Sequence, residues 1–192
     1  SEVALSTLST IDDLLKAIMQ NKRTVKENII NLITKIGEKI TLRKSDFLKS
    51  DNNLNFSYVH SEVKKNIGKI GVLISVKSSK PRNELEQLGK QLSMHIAALS
   101  PLSIDKETLD KAVVEKEREI IVEELKNSGK DSKIIDKIAT GKLNKFINDN
   151  TLLNQEWIME PKKKVKDVLK EVAGSDKIEV IKFIRFKVGE GV

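Results

Sequence analysis

Residues Glu84 to Pro101 read ELEQLGKQLSMHIAALSP, and the rest of the chain is interpreted from this stretch outward. Leu85, Leu88, Leu92, Ile96 and Leu99 recur at steps of three and four, which places them along one face of a helix. Pro81 and Pro101 bracket the pattern, as expected where a helix starts and stops. A surface helix normally has a polar back. Here Met94 points nearly opposite the leucine stripe, Ala97 and Ala98 flank it, and His95 falls at the margin between the faces. Two readings follow: a helix buried on both sides within its own domain, or one that packs inward through its leucines and docks a partner through Met94 and His95.

Upstream, Val3, Leu8, Ile11, Leu14, Leu15 and Ile18 form a broken helical pattern, with Thr10 before Asp12 and Asp13 as a plausible cap. A clearer helix runs from Val25 to Ile36, carrying Ile29, Leu32, Ile33 and Ile36 on one face and stopping at Gly37. The period then changes. Ile40–Leu48 (ITLRKSDFL), Asn55–His60 (NFSYVH) and Lys69–Ser79 (KIGVLISVKSS) are β-rich runs, expected to form an antiparallel meander packed on the preceding helix. Gly71 interrupts the third run, which suggests a bulge or a close backbone approach. Ser78–Asn83 (SSKPRN) is a loop and a candidate boundary.

Downstream, a charged helix is expected from about Lys106 to Asn127, ended by Ser128-Gly129. Further helices are expected over Lys133–Asn148 and Lys163–Val172, and their stripes read as an antiparallel pair. The closing KIEVIKFIRFKVGEGV is β-branched enough for a strand, although Val180, Phe183 and Phe186 do not alternate strictly.

The chemistry is sparse. No cysteine is present, which removes thiol nucleophiles, disulfides and thiolate metal sites together. His60 and His95 are the only histidines, too few for a histidine zinc site, and His60 is read as a loop residue. Neither a G-x-S-x-G elbow nor a phosphate loop occurs: Ser128-Gly129-Lys130 lacks the upstream glycine, and Val188–Gly191 (VGEG) is too short for a dinucleotide fingerprint. Carboxylates such as Glu115, Glu119 and Glu123 sit in helical charge runs with no local feature to shift their pKa. The net charge of +7 motivates a basic RNA-binding module as the competing reading. Acidic residues are interleaved throughout, however, and 4% aromatics leave little to stack bases on. No apolar run approaches membrane-spanning length, and the N-terminus lacks a signal-peptide pattern. The chain starts without methionine inside a helical pattern, which reads as a fragment or processed product. Binding rather than turnover is the expectation, with no cofactor and no metal.

Six collinear segments carry a family resemblance: Gly68–Val76 (GKIGVLISV), Lys90–Pro101 (KQLSMHIAALSP), Val113–Glu117 (VVEKE), Ser128–Lys130 (SGK) with Ile134–Phe146 (IIDKIATGKLNKF), Trp157–Glu171 (WIMEPKKKVKDVLKE) and Phe183–Gly191 (FIRFKVGEG). Together, from about Lys35 onward, they resemble bacterial elongation factor Ts, the guanine-nucleotide exchange factor of elongation factor Tu. The resemblance implies an α+β fold of two small antiparallel-sheet-plus-helix subdomains with an inserted antiparallel helical hairpin. On that pattern residues 1–80 form the first subdomain, 81–127 with 176–192 the second, and 128–175 the hairpin, which in the family can take part in dimer contacts. It also implies a cytoplasmic partner, elongation factor Tu, touched on its GTPase domain and its C-terminal domain, with the magnesium and phosphate region disturbed so that GDP leaves. Ile70 and Gly71 match a contact segment of the family. His95 corresponds to a contact near the nucleotide site, and Met94 and Ala98 belong to the same match. The family's N-terminal helical bundle and its Thr-Asp-Phe motif have no counterpart here, so binding is expected to outlast exchange competence.

Overall fold

The computed structural model describes residues 10–127 and 132–191 of the chain. Val3, Leu8 and the Ser128-Gly129 helix stop lie outside the described residues. The chain divides into two compact units, Ser1–Lys49 and Ser50–Val192.

In the first unit, helix α1 (Ile11–Lys16) is capped by Thr10, whose hydroxyl accepts the Asp13 amide at 3.1 Å. Helix α2 (Val25–Ile36) begins with a reciprocal box: Thr24 accepts from the Glu27 amide while the Glu27 carboxylate accepts from the Thr24 amide, satisfying two free donors at once. Gly37 ends it at φ 73°, a left-handed conformation that glycine adopts without a Cβ penalty. No residue of α2 is buried, and Ile30, Leu32 and Ile36 are half exposed or more. Ile40–Leu48, expected as a strand, has no regular structure. A strand is held by inter-strand hydrogen bonds, and this run has no ladder partner among the described residues.

The second unit is built on one antiparallel sheet in the order β1 (Leu54–His60), β2 (Ile70–Ser78), β3 (Ile178–Lys187). The C-terminal strand therefore pairs directly with β2. Alternation puts Leu54, Phe56 and Tyr58 with Val72, Ile74 and Val76 on one side of the sheet, where they pack into the main core. Across β3 the register slips by one between Ser75 and Val76, which pair with Lys182 and Val180 and leave Ile181 as the extra residue. That bulge explains why Val180 and Phe183, three apart, both join the core side. It lies away from Gly71, whose added Cβ would meet nothing within 4 Å. His60 closes β1, where its Nδ1 lies 3.1 Å from the Tyr58 hydroxyl, instead of sitting in a loop.

Helix α3 (Arg82–Leu99) lies across β1 and β2. Leu85, Leu88, Leu92 and Ile96 are buried as their spacing requires, but Leu99, in the last turn, is exposed. Gly89 explains how closely the helix approaches the sheet: a Cβ there would lie 2.2 Å from Cγ of Phe56. Arg82 covers the same ring, its guanidinium carbon 4.8 Å from the centroid.

Helix α4 (Lys111–Asn127) starts later than Lys106. Asp110 accepts the Ala112 amide at 2.8 Å and so defines the helix start, while Asp105 and Thr108 bond each other reciprocally in the preceding loop. Helix α5 (Ser132–Asn150) packs on α4 through a separate small core of Ile121, Leu125, Ile135 and Ala139, braced by a Lys142–Glu124 ion pair. The sequence reading paired α5 with the next helix, α6 (Val165–Ala173). In the structure α6 instead sends Val165, Leu169 and Ala173 into the main core beside β3.

Candidate functional site

The residues singled out from sequence lie around the C-terminal half of α3 and the start of β2. Along α3, Gln87, Lys90, Gln91, Met94 and Ala98 trace the stripe that the sheet leaves uncovered. Met94 is half buried and Ala98 is exposed, so the open stripe begins polar and ends apolar. Ser100, in the left-handed region at φ 50°, terminates the helix there.

Ile70 is half buried and Gly71 exposed. Strand alternation puts Ile70 on the α3 side with Val72 and Ile74, and Gly71 on the reverse. Arg185, paired with Val72, reaches back so that its Nε donates to the Ala97 carbonyl at 3.4 Å, and its other end pairs with Glu190 at 2.9 Å. A cation on the free carbonyls of a helix end is a favourable partner. The register thus brings Ile70 and the Met94–Ala98 end of α3 to one end of the unit, while Gly71 faces the other way.

His95, expected at the margin of the docking side, is buried within the chain's own unit, as the reading of a helix covered on both sides has it. Its side is closed, at 0% exposure, by residues about sixty positions away in the chain. Trp157 stacks on the imidazole with 5.2 Å between ring centroids and 21° between planes. Gln155 Oε1 lies 3.0 Å from Nε2, and the Ile158 amide donates to Nδ1 at 3.4 Å. Burial lowers the pKa of His95 below the ordinary histidine value, with the Gln155 hydrogen bond opposing in part. The ring is therefore neutral at pH 7, donating at one nitrogen and accepting at the other. Gln155 and Trp157 are the site's unforeseen members. Their own sequence signal, one glutamine and the lone tryptophan in an apolar connection between helices, does not reveal which helix they meet.

Among the described residues no group of three or more histidine, aspartate or glutamate side chains could hold a metal ion, and no helix is long and apolar enough to cross a membrane. A groove of about 330 Å³ opens between α6 and β3, floored by Leu169, Ala173, Ile178 and Val180. Its carboxylates are engaged within the chain: Asp105 by Thr108, Asp176 by Ser79 and Lys80, and Glu179 by Lys177.

Comparison with known proteins matches the family model described as Elongation factor TS over residues 1–190, extending the resemblance upstream of Lys35. Elongation factor Ts of Rickettsia felis is 42% identical over 186 residues, covering 95% of this chain and 60% of that protein. The Rickettsia prowazekii protein is 42% identical over 185 residues and the Rickettsia akari protein 41%, with the same coverage. The chain thus spans 60% of the length of these relatives. With the family model matching residues 1–190 of its 192, the chain belongs to the elongation factor Ts family.

Proposed function

We propose that this chain is the docking core of a guanine-nucleotide exchange factor that binds elongation factor Tu in the cytoplasm and promotes loss of GDP without covalent chemistry. The family match along the whole chain carries this reading. The exposed apolar end of the α3 stripe supports it: Ala98 and Met94, with Ile70 at the same end, provide a small face for the GTPase domain. His95, fully buried, offers no atom to a partner and enters this reading only as the buried neighbour of Met94 in the helix. Gly71, on the reverse of the sheet, serves where a partner backbone approaches an open strand position. A second surface meets the partner's C-terminal domain, and the α4–α5 hairpin would carry any self-association.

Exchange requires only differential affinity. A factor that binds the empty GTPase more tightly than the GDP-loaded form speeds GDP release, and reciprocity makes GDP weaken the factor's binding by the same ratio. A factor that bound both forms equally would shift nothing.

The test is release of a fluorescent GDP analogue from elongation factor Tu, alongside direct binding of the nucleotide-free protein. The chain should bind the empty form and be competed off by GDP. Ala98→Glu, which introduces a charge on the docking face, should weaken binding about a hundredfold while leaving the melting temperature unchanged. No binding of the empty GTPase, together with RNA affinity that falls steeply with added salt, would replace this reading with the RNA-binding one suggested by the +7 charge.

A further inference from the structure

Gln155 is 5% exposed, and every polar atom of its side chain has a partner. Its amide nitrogen donates to the Asp149 carbonyl at the end of α5, at 2.8 Å, and to the Leu99 carbonyl at the end of α3, at 3.5 Å. Both donors are thereby spent on oxygens, so Oε1 is the atom facing His95 Nε2 at 3.0 Å, and it accepts a hydrogen bond from the ring N–H. That fixes the Nε2–H tautomer and leaves Nδ1 as the acceptor for the Ile158 amide. The main chain of Gln155 is tied as well: its carbonyl accepts the Val165 amide at 3.1 Å, where α6 begins, and its amide donates to the Thr151 carbonyl at 3.1 Å.

We infer that Gln155 is a positioning residue for the docking face of α3, its one amide group orienting His95 and clamping the last turn of the helix to the end of α5. This rests on the exchange-factor reading for its consequence, though not for its geometry. The two anchored residues, His95 and Leu99, each directly follow a docking residue, Met94 and Ala98. Holding i and i+4 from one point fixes the rotation of the helix about its axis, and with it the direction in which the open stripe faces. The same amide joins the docking helix to the hairpin, because Asp149 lies in the last turn of α5. Of the charged residues on the surrounding elements, Asp149, Glu156, Glu160 and Lys90 are exposed, Lys163 and Lys164 are half buried, and Arg185, half buried, is engaged by the Ala97 carbonyl and Glu190; the imidazole's partners among the described residues are Gln155, Trp157 and the Ile158 amide.

Two variants test the inference. Gln155→Leu removes both halves of the clamp, and affinity for nucleotide-free elongation factor Tu should fall about tenfold. Gln155→Glu separates positioning from simple loss of stability. Ionised, its carboxylate has no donor for either carbonyl. Protonated, its O–H can donate to one carbonyl while its C=O accepts from His95, much as glutamine does. Burial favours the neutral carboxylic acid beside a neutral ring. Affinity of Gln155→Glu should therefore rise from about pH 8 to about pH 6, while that of the parent chain stays level. A Gln155→Leu chain that binds the nucleotide-free GTPase as tightly as the parent overturns the inference. The chain has three methionines and two histidines, so the Met94 methyl and His95 ring resonances can be followed in the free protein. In Gln155→Leu the Met94 methyl should shift and the Nε2–H signature should be lost; unchanged resonances overturn the positioning role. Failure of the parent chain to bind the GTPase overturns the exchange reading instead, and the free-chain resonances still decide the geometry.

Discussion

Replacing Gly89 with alanine sets two well-measured effects against each other. In a helix interior alanine is more favourable than glycine by about 1 kcal/mol, so propensity alone makes the variant more stable. The packing argues the reverse. The new Cβ would lie 2.2, 2.4 and 2.5 Å from Cγ, Cδ2 and Cδ1 of Phe56, where carbon atoms prefer roughly 3.5–4.0 Å. The ring cannot easily swing aside, because Phe56 is buried in the main core and Arg82 lies against it. Either α3 lifts from the sheet or the ring leaves its rotamer. Overpacking of this kind costs about 3 kcal/mol at the upper end of the usual range. The net expectation is a loss of about 2 kcal/mol, or a melting temperature lower by about 4–8 °C for a chain of this size. Urea unfolding followed through Trp157, the lone tryptophan and a member of the same core, measures it directly. Phe56→Leu in the same chain should recover part of the loss, as coupling between touching residues requires. A Gly89→Ala chain that resists urea as well as its parent refutes the close approach.

Three further perturbations follow from the same geometry. Above about pH 6.5 His95 is neutral folded or unfolded; as pH falls below that value the unfolded chain binds a proton first, since burial holds the folded pKa lower, so stability should drop until the native ring also protonates. Comparing urea midpoints at about pH 7.5 and 5.5 in the parent and in His95→Gln checks the sign, with a smaller pH effect expected in the variant. Gly71→Ala should gain about 0.5–1 kcal/mol, because no atom lies within 4 Å of the new Cβ, yet weaken binding to elongation factor Tu if a partner backbone approaches there. Salt provides a control: affinity for the empty GTPase through an apolar face should change little between low and moderate ionic strength.

What could be read from the sequence, and what could not, divides by the range of the interaction involved. The α3 stripe from Leu85 to Ile96 was legible because a 3.6-residue period is a local property. So was the Gly37 stop. Of the two readings of Gly71, a bulge or a close backbone approach, the bulge does not occur there; the broken alternation of Val180 and Phe183 marks one on β3. Gly89 carries a local signal of its own, since an isolated glycine inside a helical pattern points to a packing reason, here the Phe56 ring. The helix expected from about Lys106 starts at Lys111, because Asp110 caps it, a signal that is local and legible. Two features were out of reach. The partner of α5 depends on which of its two neighbours in the chain it meets, and the strongly amphipathic α6 turns its stripe to the main core instead. The burial of His95 depends on Gln155 and Trp157, sixty and sixty-two residues downstream, and helix geometry alone left that imidazole at a margin.

The closure over His95 changes how the docking helix would act on the proposed reading. An exposed imidazole could contribute a direct hydrogen bond to a partner, but a sealed one contributes through what it holds in place. Met94 and Ala98 offer little area, so affinity from contact alone would be modest, and an exchange factor needs affinity that differs between two states of its partner. A mobile helix would adapt to both states and discriminate poorly. A helix pinned from below by His95, at its carbonyl end by Gln155 and Arg185, and against the sheet by Gly89 has little freedom to adapt. Its apolar end presents one shape, and the GTPase state that fits that shape is favoured over the one that does not. The buried polar cluster then has a functional consequence despite touching no partner: loosening it should reduce the ratio of the two affinities more than their mean. Measuring the binding of Gln155→Leu to both the empty and the GDP-loaded GTPase tests that directly, since equal losses in the two states would leave rigidity without a role in exchange.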